Sequence, residues 1–394
     1  MNYKFNEMLS SIPPSASLSV SEKAKKMKAD GIDVITLATG EPDFDTPAKA
    51  RIAGISGIAD GHTHYNSAHG LPELRERIAQ KLSEENHISC MSKNIIMTPG
   101  GKYAIYAAIR ALLTPGKGEE VLILNPAWVS YAPIVTASGG VPVDVELAFD
   151  NNYRIQKDVL ERCVTDRTRA IIVNYPNNPT GCILTALEAE VLADFAVEHD
   201  LIIIADEIYE RIIYDGNHSI SLASIDRIKE RVVTINGFSK SAAMTGWRLG
   251  YVCAPLEIIE KISLLSQHTI SCLSQFSMEA ALSALDCQSD IAAMAASYKE
   301  RRDFFVSGLN MIPGVTCHVP HGAFYAWAKV DLPVMNSFEI AEYLLDEAQV
   351  AVVPGDSYGK GGTNCIRMSF ATEEPLLREA LVRIDAAIRK ISNR

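Results

Sequence analysis

Lys240 sits in the run Asn236-Gly237-Phe238-Ser239-Lys240-Ser241-Ala242-Ala243-Met244-Thr245-Gly246-Trp247-Arg248-Leu249-Gly250-Tyr251. A lysine among glycines and small or apolar residues can be desolvated enough to work as a neutral amine. Arg248, eight residues on, supplies a fixed cation beside it. An amine nucleophile next to an anion-binding guanidinium is what a Schiff base to a phosphorylated aldehyde requires. A surface lysine and a structural arginine would look the same in isolation, so the other reactive side chains carry the decision.

The stretch Leu201–Ala205 runs into Asp206-Glu207-Ile208-Tyr209. Ligands of an open α/β sheet gather where strands end at their carboxyl edge. An Asp there can pair with a protonated pyridine nitrogen and keep the ring an electron sink, with Tyr209 in reach of the ring's phenolate oxygen. An N-capping Asp followed by a packed Tyr is the plainer reading. Ile171–Val173 runs into Asn174-Tyr175-Pro176-Asn177-Asn178-Pro179-Thr180-Gly181. Two prolines and a glycine fix that turn, so Asn178 is held where it can donate to the phenolate oxygen and to a substrate carboxylate. Thr98-Pro99-Gly100-Gly101-Lys102 follows a strand over 94–97 and opens a helix. Gly100 and Gly101 let backbone N–H groups approach an anion, and the helix N-terminus favours its charge. Trp128 ends Asn125-Pro126-Ala127-Trp128, where an indole can stack on a flat ring, although a lone Trp more often fills a core. Amine, ring-nitrogen partner, stacking indole and phosphate cradle together describe a site for pyridoxal phosphate.

Only a layered α/β arrangement brings such distant residues to one edge, and the chain carries its pattern. Val121–Leu124, Ala170–Val173, Leu201–Ala205 and Val232–Ile235 are nearly all apolar, as strands covered on both faces are. Amphipathic stretches lie between them. Helices are predicted over Ala186–His199, capped by Thr185, and over Pro72–Glu85, with Pro in the first turn. The last hundred or so residues differ. A charged helix over Ile291–Met311 leads into strands at Phe324–Trp327, Val350–Val353 and Ile366–Ser369, then a helix over Glu374–Ile391. The predicted organisation is an N-terminal arm and helix over 1–45, a large domain over 46–290 and a smaller α+β domain over 291–394.

With 394 residues, more than one packed unit is expected. A net charge of −11 argues against nucleic-acid or anionic-membrane partners, which need a basic footprint. The eight cysteines are scattered, without CxxC or zinc spacing, and read as free thiols. Neither a secretory h-region nor an apolar span is visible, so a soluble, cytoplasmic protein is expected. His62, His64 and His69 are read as loop residues rather than metal ligands, and no metal is predicted.

As a set, Asn177-Asn178-Pro179-Thr180-Gly181, Asp206-Glu207-Ile208-Tyr209 and Ser239-Lys240 with Gly246-Trp247-Arg248-Leu249-Gly250 resemble the class I/II aminotransferases of pyridoxal phosphate fold type I. The likeness runs from Ala38-Thr39-Gly40-Glu41-Pro42-Asp43 to Cys365-Ile366-Arg367-Met368-Ser369. Within the family the chain most resembles bacterial aspartate aminotransferases of the subgroup that includes prephenate aminotransferases. The resemblance implies a mostly parallel seven-stranded sheet, and Lys240 as cofactor link and proton shuttle. It places Asp206 on the ring nitrogen, Tyr209 and Asn178 on the phenolate oxygen, and Trp128 on the ring face. Gly100, Gly101, Lys102, Ser239 and Arg248 would surround the phosphate. Tyr65 would reach the phosphate of a neighbouring subunit in a homodimer with shared active sites. Arg367 would bind the substrate α-carboxylate, with Gly40 contributing backbone contact.

The resemblance further implies transfer of an amino group between an L-amino acid, aspartate or glutamate first, and a 2-oxo acid such as 2-oxoglutarate, in a ping-pong cycle. Lys102 and Ser15 occupy the positions that read a side-chain carboxylate in this subgroup. No arginine occurs in Ser263–Ala280, where another subgroup carries that device. A prephenate, aromatic or specialised biosynthetic substrate is the alternative, and a pyridoxal phosphate lyase a more remote one. A non-catalytic sensor of this fold would need a basic winged-helix module before the large domain, and none is read there. Gly237 departs from the pattern, standing where many relatives have a hydroxyl residue. His268, Ser271 and Cys272 are expected to crowd the substrate entrance.

Overall fold

A computed structural model of the chain describes residues 3–332 and 335–392. Among these residues, thirteen strands numbered in chain order form three sheets. β1 (Ile35–Thr36) pairs in parallel with β11 (Val350–Ala351). The main sheet holds β2 (Ile95–Thr98), β3 (Glu120–Asn125), β4 (Val141–Glu146), β5 (Thr168–Asn174), β6 (Ile202–Asp206), β7 (Val232–Gly237) and β8 (Gly250–Cys253), in the order β2-β8-β7-β6-β5-β3-β4. All its pairings are parallel except those of β8, which runs antiparallel to both neighbours. A smaller antiparallel sheet joins β12 (Val353–Pro354), β13 (Cys365–Ser369), β10 (Tyr325–Val330) and β9 (Val315–Cys317).

Alternation along the strands explains the layering. Leu122, Leu124, Ile171, Val173 and Ile203 enter one hydrophobic core. Their neighbours Val121, Ile123, Ala170, Ile172 and Ile204 enter another. Successive side chains of a strand point to opposite faces, so a strand that is apolar at every position must be covered on both. The helix Pro72–Glu85 has the predicted bounds. Thr185 caps the helix Ala186–Glu198 through a reciprocal box: Glu188 N donates to Thr185 Oγ1 (3.3 Å) and Thr185 N to Glu188 Oε2 (3.0 Å).

One sequence expectation changes. The stretch Val350–Val353 is not one strand: β11 bonds to β1, and β12 bonds to β13, because consecutive residue pairs find different partners. The N-terminal segment also takes part in the C-terminal packing. Ile35 and Leu37 are buried with Phe305, Ile340, Leu344 and Met368. Ala24 of the helix Ala16–Ala29 packs with Leu345 and Ala351. Residues 38–46 then cross from this unit to the large sheet.

No described helix is long and apolar enough to cross a membrane.

Candidate active site

The carboxyl ends of β2, β3, β5, β6 and β7 share one edge of the main sheet, because β8 inverts direction twice between β2 and β7. Register ties them closely: Asn174 at the end of β5 lies beside Asp206 at the end of β6, and Asp206 beside Ile235 in β7. A cavity of about 400 Å³ opens there. Its lining includes Ser15, Gly40, Gly101, Lys102, Trp128, Tyr131, Asn178, Asp206, Tyr209, Ser239, Lys240, Arg248 and Arg367.

Lys240 Nζ donates to Gly40 O at 2.6 Å and lies 5.9 Å from the Phe324 ring. Desolvation in the pocket, with Arg367 and Arg248 also disfavouring a further positive charge, lowers its pKa from 10.5 to about 8, against an opposing pull from Glu41 and Asp206. The amine is thereby brought towards the neutral, nucleophilic form near physiological pH.

Asp206 is buried. It accepts from the Tyr131 hydroxyl (2.6 Å, Oδ2) and from Ile208 N (3.2 Å, Oδ1), and its backbone carbonyl accepts from Asn174 Nδ2 (2.8 Å). Burial raises its carboxyl from 3.8 to about 6, against the lowering effect of these two bonds and of Lys240. A buried carboxylate of this kind gains from a cation set against it. Tyr209 bonds Tyr325 through their hydroxyls at 2.7 Å. Burial and then Tyr325 push the Tyr209 phenol well above its ordinary range, so it stays a neutral donor.

Asn178 N donates to Asn174 Oδ1 (2.9 Å), which fixes the Asn-Pro-Thr-Gly turn under the site. Asn178 Oδ1 accepts from Arg367 Nη1 at 3.2 Å, and Ala38 O accepts from Arg367 Nη2 at 2.5 Å. Arg367 is 3% exposed and lies over the Tyr325 ring at 4.4 Å. Its Nε has no partner although it is buried, so a donor fork is held ready for a carboxylate.

At the other end of the cavity, Gly100 adopts φ 83° before the helix Gly101–Leu112. That left-handed φ favours glycine, and a Cβ there would sit 2.5 Å from Arg248 Nη2 and push the guanidinium aside. Arg248 is itself aimed by bonds to Thr245 O (2.8 Å) and Pro99 O (3.4 Å). The helix N-terminus, the Ser239 hydroxyl and Arg248 line the same pocket. That is a donor set for a phosphate. The pocket therefore answers each part of pyridoxal phosphate: a phosphate cradle, a carboxylate for the ring nitrogen, an indole for the ring face and an amine for the aldehyde.

All the residues predicted for a single chain's site line this cavity except Gly100, which stands behind Arg248; Tyr65, predicted for a neighbouring subunit's site, is 91% exposed and outside it. Gly237 has a structural cause. A Cβ there would lie 2.8 Å from Gly250 Cα and from Leu249 O, so the close β7–β8 approach forbids any side chain. His268, Ser271 and Cys272 do not line the cavity of the single chain. His62 faces Glu279 at 2.7 Å. The one described cluster with metal-ligand geometry is elsewhere, at Glu161, Glu198 and His199, and Lys157 already pairs with both glutamates.

Sequence reasoning missed Tyr131, Tyr325 and the backbone-fixing role of Asn174. Tyr131 had a signal, an aromatic three residues after Trp128 at a strand end; the rings meet edge-on at 5.4 Å. Tyr325 had none, since it comes from the small sheet.

This fold and this site define a pyridoxal-phosphate enzyme of fold type I. The pattern of the family described as aminotransferase class I and II matches residues 32–384, and the chain belongs to that family. It is a pyridoxal-phosphate-dependent transaminase acting on amino acids and oxo acids. It is 42% identical over 377 residues to an aspartate aminotransferase of Musicola paradisiaca, covering 95% of this chain and 94% of the relative. It is 40% identical to the aspartate/prephenate aminotransferase of Thermus thermophilus, covering 94% and 95% of the two chains. The solved aspartate aminotransferase of Thermus thermophilus with maleate superposes with a TM-score of 0.93 at 37% identity, covering 98% of this chain and all of that one.

Proposed function

We propose that the enzyme takes aspartate, and glutamate in the reverse sense, as amino donor, with a 2-oxo acid such as 2-oxoglutarate as acceptor. The observation that carries this reading is the number of cations in one cavity. Arg248, Arg367 and Lys102 all line it. Arg248 would hold the cofactor phosphate and Arg367 an α-carboxylate, which leaves Lys102 for a second carboxylate. Lys102 Nζ stands 5.0 Å from the Trp128 ring centre, and Ser15 lines the same space. Desolvation and then the Arg248 charge lower its pKa, so an arriving anion is welcome there. The similar proteins named as aspartate aminotransferases, and the one solved with the dicarboxylate maleate, support the reading.

When bound, pyridoxal phosphate supplies an aldehyde that links to amines and a protonated ring that accepts the electron pair left at Cα. The protein's residues do the rest. Gly101, Ser239 and Arg248 hold the phosphate, with Gly100 shaping that cradle. Asp206 keeps the ring nitrogen protonated, Tyr209 and Asn178 donate to the phenolate oxygen, and Trp128 covers the ring. Arg367 and Asn178 orient the substrate carboxylate beneath Gly40. Lys240 would take the proton from the substrate Cα and hold it for return across the nitrogen, at the carbon that was the aldehyde, and the same groups would serve the oxo acid in reverse.

Tyr65 and the outward stripe Ile52, Ile55 and Ile58 (62%, 66% and 53% exposed) support a homodimer in which Tyr65 completes the partner's phosphate site. A cytoplasmic location is part of the same reading.

A single-turnover screen of amino donors, following loss of the lysine-linked cofactor absorbance, tests the substrate. Fast conversion by aspartate and glutamate is expected. Slow conversion by both, with fast conversion by an aromatic donor or by the amino acid corresponding to prephenate, would replace the acidic-donor reading.

A further inference from the structure

Tyr131 has no part in the roles assigned above, yet it touches two of the residues that carry them. It begins the helix Tyr131–Ala137, which the turn 126–130 joins to the carboxyl end of β3, and is 1% exposed. Its hydroxyl is 2.6 Å from Asp206 Oδ2, and its ring meets Trp128 edge-on at an interplanar angle of 84°. Asp206 Oδ1 is held by backbone, through Ile208 N. Among the described residues Oδ2 is bonded by the tyrosine alone, so that hydroxyl, with the longer Ile208 bond on Oδ1, fixes the rotation of the carboxyl group about its last bond. The indole and the carboxylate would meet the same cofactor ring, one on its face and one at its nitrogen, and a single aromatic side chain is wedged against both.

We propose that Tyr131 is a positioning residue for the transamination site: its hydroxyl anchors and orients the Asp206 carboxylate while its ring sets the tilt of the Trp128 indole. The inference rests on Asp206 serving the ring nitrogen. A hydrogen bond given to a buried carboxylate stabilises its charged form over the neutral one. It also removes a rotation that would otherwise have to be frozen at the moment of reaction. The titratable groups facing Asp206 are Tyr131 from its helix, Tyr209 and Glu207 from its own turn, and Lys240 from the lysine segment. Of these, Tyr131 and Lys240 favour the ionised carboxylate, and Lys240 is engaged elsewhere once it carries the cofactor. The tyrosine is then the side chain left to hold the charge in place.

The test compares Tyr131→Phe, Tyr131→His and Asp206→Asn with the wild-type holoenzyme in two readouts. One is kcat and KM for the amino donor. The other is the affinity of the stripped and reconstituted enzyme for pyridoxal phosphate between about pH 5 and 8, where an Asp206 titration registers as an acid limb. Tyr131→Phe is expected to lower kcat about 10- to 100-fold with KM within about threefold, the size of one hydrogen bond to a charged group. It should also move the acid limb up by about one pH unit. Tyr131→His, which can place an N–H donor there, should recover part of both. Wild-type kcat in Tyr131→Phe, or a reduced kcat with an unmoved limb, overturns the proposal. If Tyr131→Phe does not fold, a folded Tyr131→His with lowered kcat and an unmoved limb overturns it too. Wild-type turnover by Asp206→Asn would instead remove the ring-nitrogen role itself, whereas an inactive Asp206→Asn beside a silent Tyr131→Phe rejects only the tyrosine.

Discussion

Lys240 Nζ is parked on the Gly40 carbonyl oxygen at 2.6 Å. The segment that accepts this bond also accepts Arg367 at Ala38 O, and Thr46 Oγ1 donates to Ala243 O at 2.7 Å beyond the lysine. One short crossing between the two packed units therefore touches the reactive amine, the carboxylate-binding arginine and the lysine segment. Tyr325 closes it from the far side: a Cβ on Gly40 would lie 2.6 Å from the Tyr325 hydroxyl. A side chain at that point would have to displace the Tyr325 hydroxyl from its bond to Tyr209, and movements of the crossing reach the amine and the carboxylate-binding arginine.

The lysine gives the first prediction. Its folded pKa of about 8 is below the ordinary 10.5, so folding releases a proton between those values. The unfolded chain binds more protons in that window, and stability rises with pH across it. Compared with Lys240→Met, the cofactor-free wild type should gain up to about 3 kcal/mol between about pH 8 and 10.5. Urea denaturation of both proteins measures the difference, and a constant gap would contradict the desolvated amine. Lys240→Met should in addition lose transamination by more than about 10⁴-fold with an unchanged far-UV circular dichroism spectrum.

Arg367→Lys keeps a charge but loses the planar fork that now spans Asn178 Oδ1 and Ala38 O. A fall in kcat/KM of about 10- to 100-fold is expected for every donor alike, because all share the α-carboxylate. Steady-state kinetics with aspartate and alanine checks this; a loss confined to aspartate would assign the arginine to the side chain instead.

Lys102→Gln discriminates in the other direction. It should weaken kcat/KM for aspartate about 10- to 100-fold and for alanine by less than about threefold, since only aspartate carries the second carboxylate. Equal losses would make Lys102 part of the phosphate cradle.

Behind the turn that carries Asp206 and Tyr209 lies a buried ionic network. Lys81 (9% exposed side chain) pairs with Glu210 (7%) and donates to Asn86 Oδ1 at 2.8 Å, and Ser221 donates to Glu207 at 2.6 Å. Burial and the Glu210 charge push Glu207 up to about 8, so Lys81 answers Glu210 rather than a pair of anions. Lys81→Met should cost up to about 3–5 kcal/mol by leaving the buried Glu210 only Asn86 and the more distant Arg211, and Lys81→Met/Glu210→Gln should regain most of it. Chemical denaturation of the three proteins decides; a double variant as unstable as the single one would point to packing.

Much of this enzyme was legible in the residue order alone. Runs such as Ala170–Val173 are apolar at every position, and that pattern requires two covered faces, hence a layered α/β sheet. Lys240, Asp206, Asn178 and Arg248 were legible because each stands at a strand end or glycine turn where its chemistry has few structural uses. Other features depended on contacts between segments far apart in the chain. Tyr131 meets Asp206 across 75 residues and Tyr209 meets Tyr325 across 116, and no local pattern encodes either meeting. Gly237 departs from the pattern by lacking a hydroxyl, and only the β7–β8 approach explains it. The split of Val350–Val353 between two sheets has the same origin. Backbone propensity and apolar spacing act over a few residues, so sequence alone determined the central apolar strands, the turns at their ends and the reactive residue types. Which side chain finally holds which was decided by register and packing, which exist only once the chain is folded.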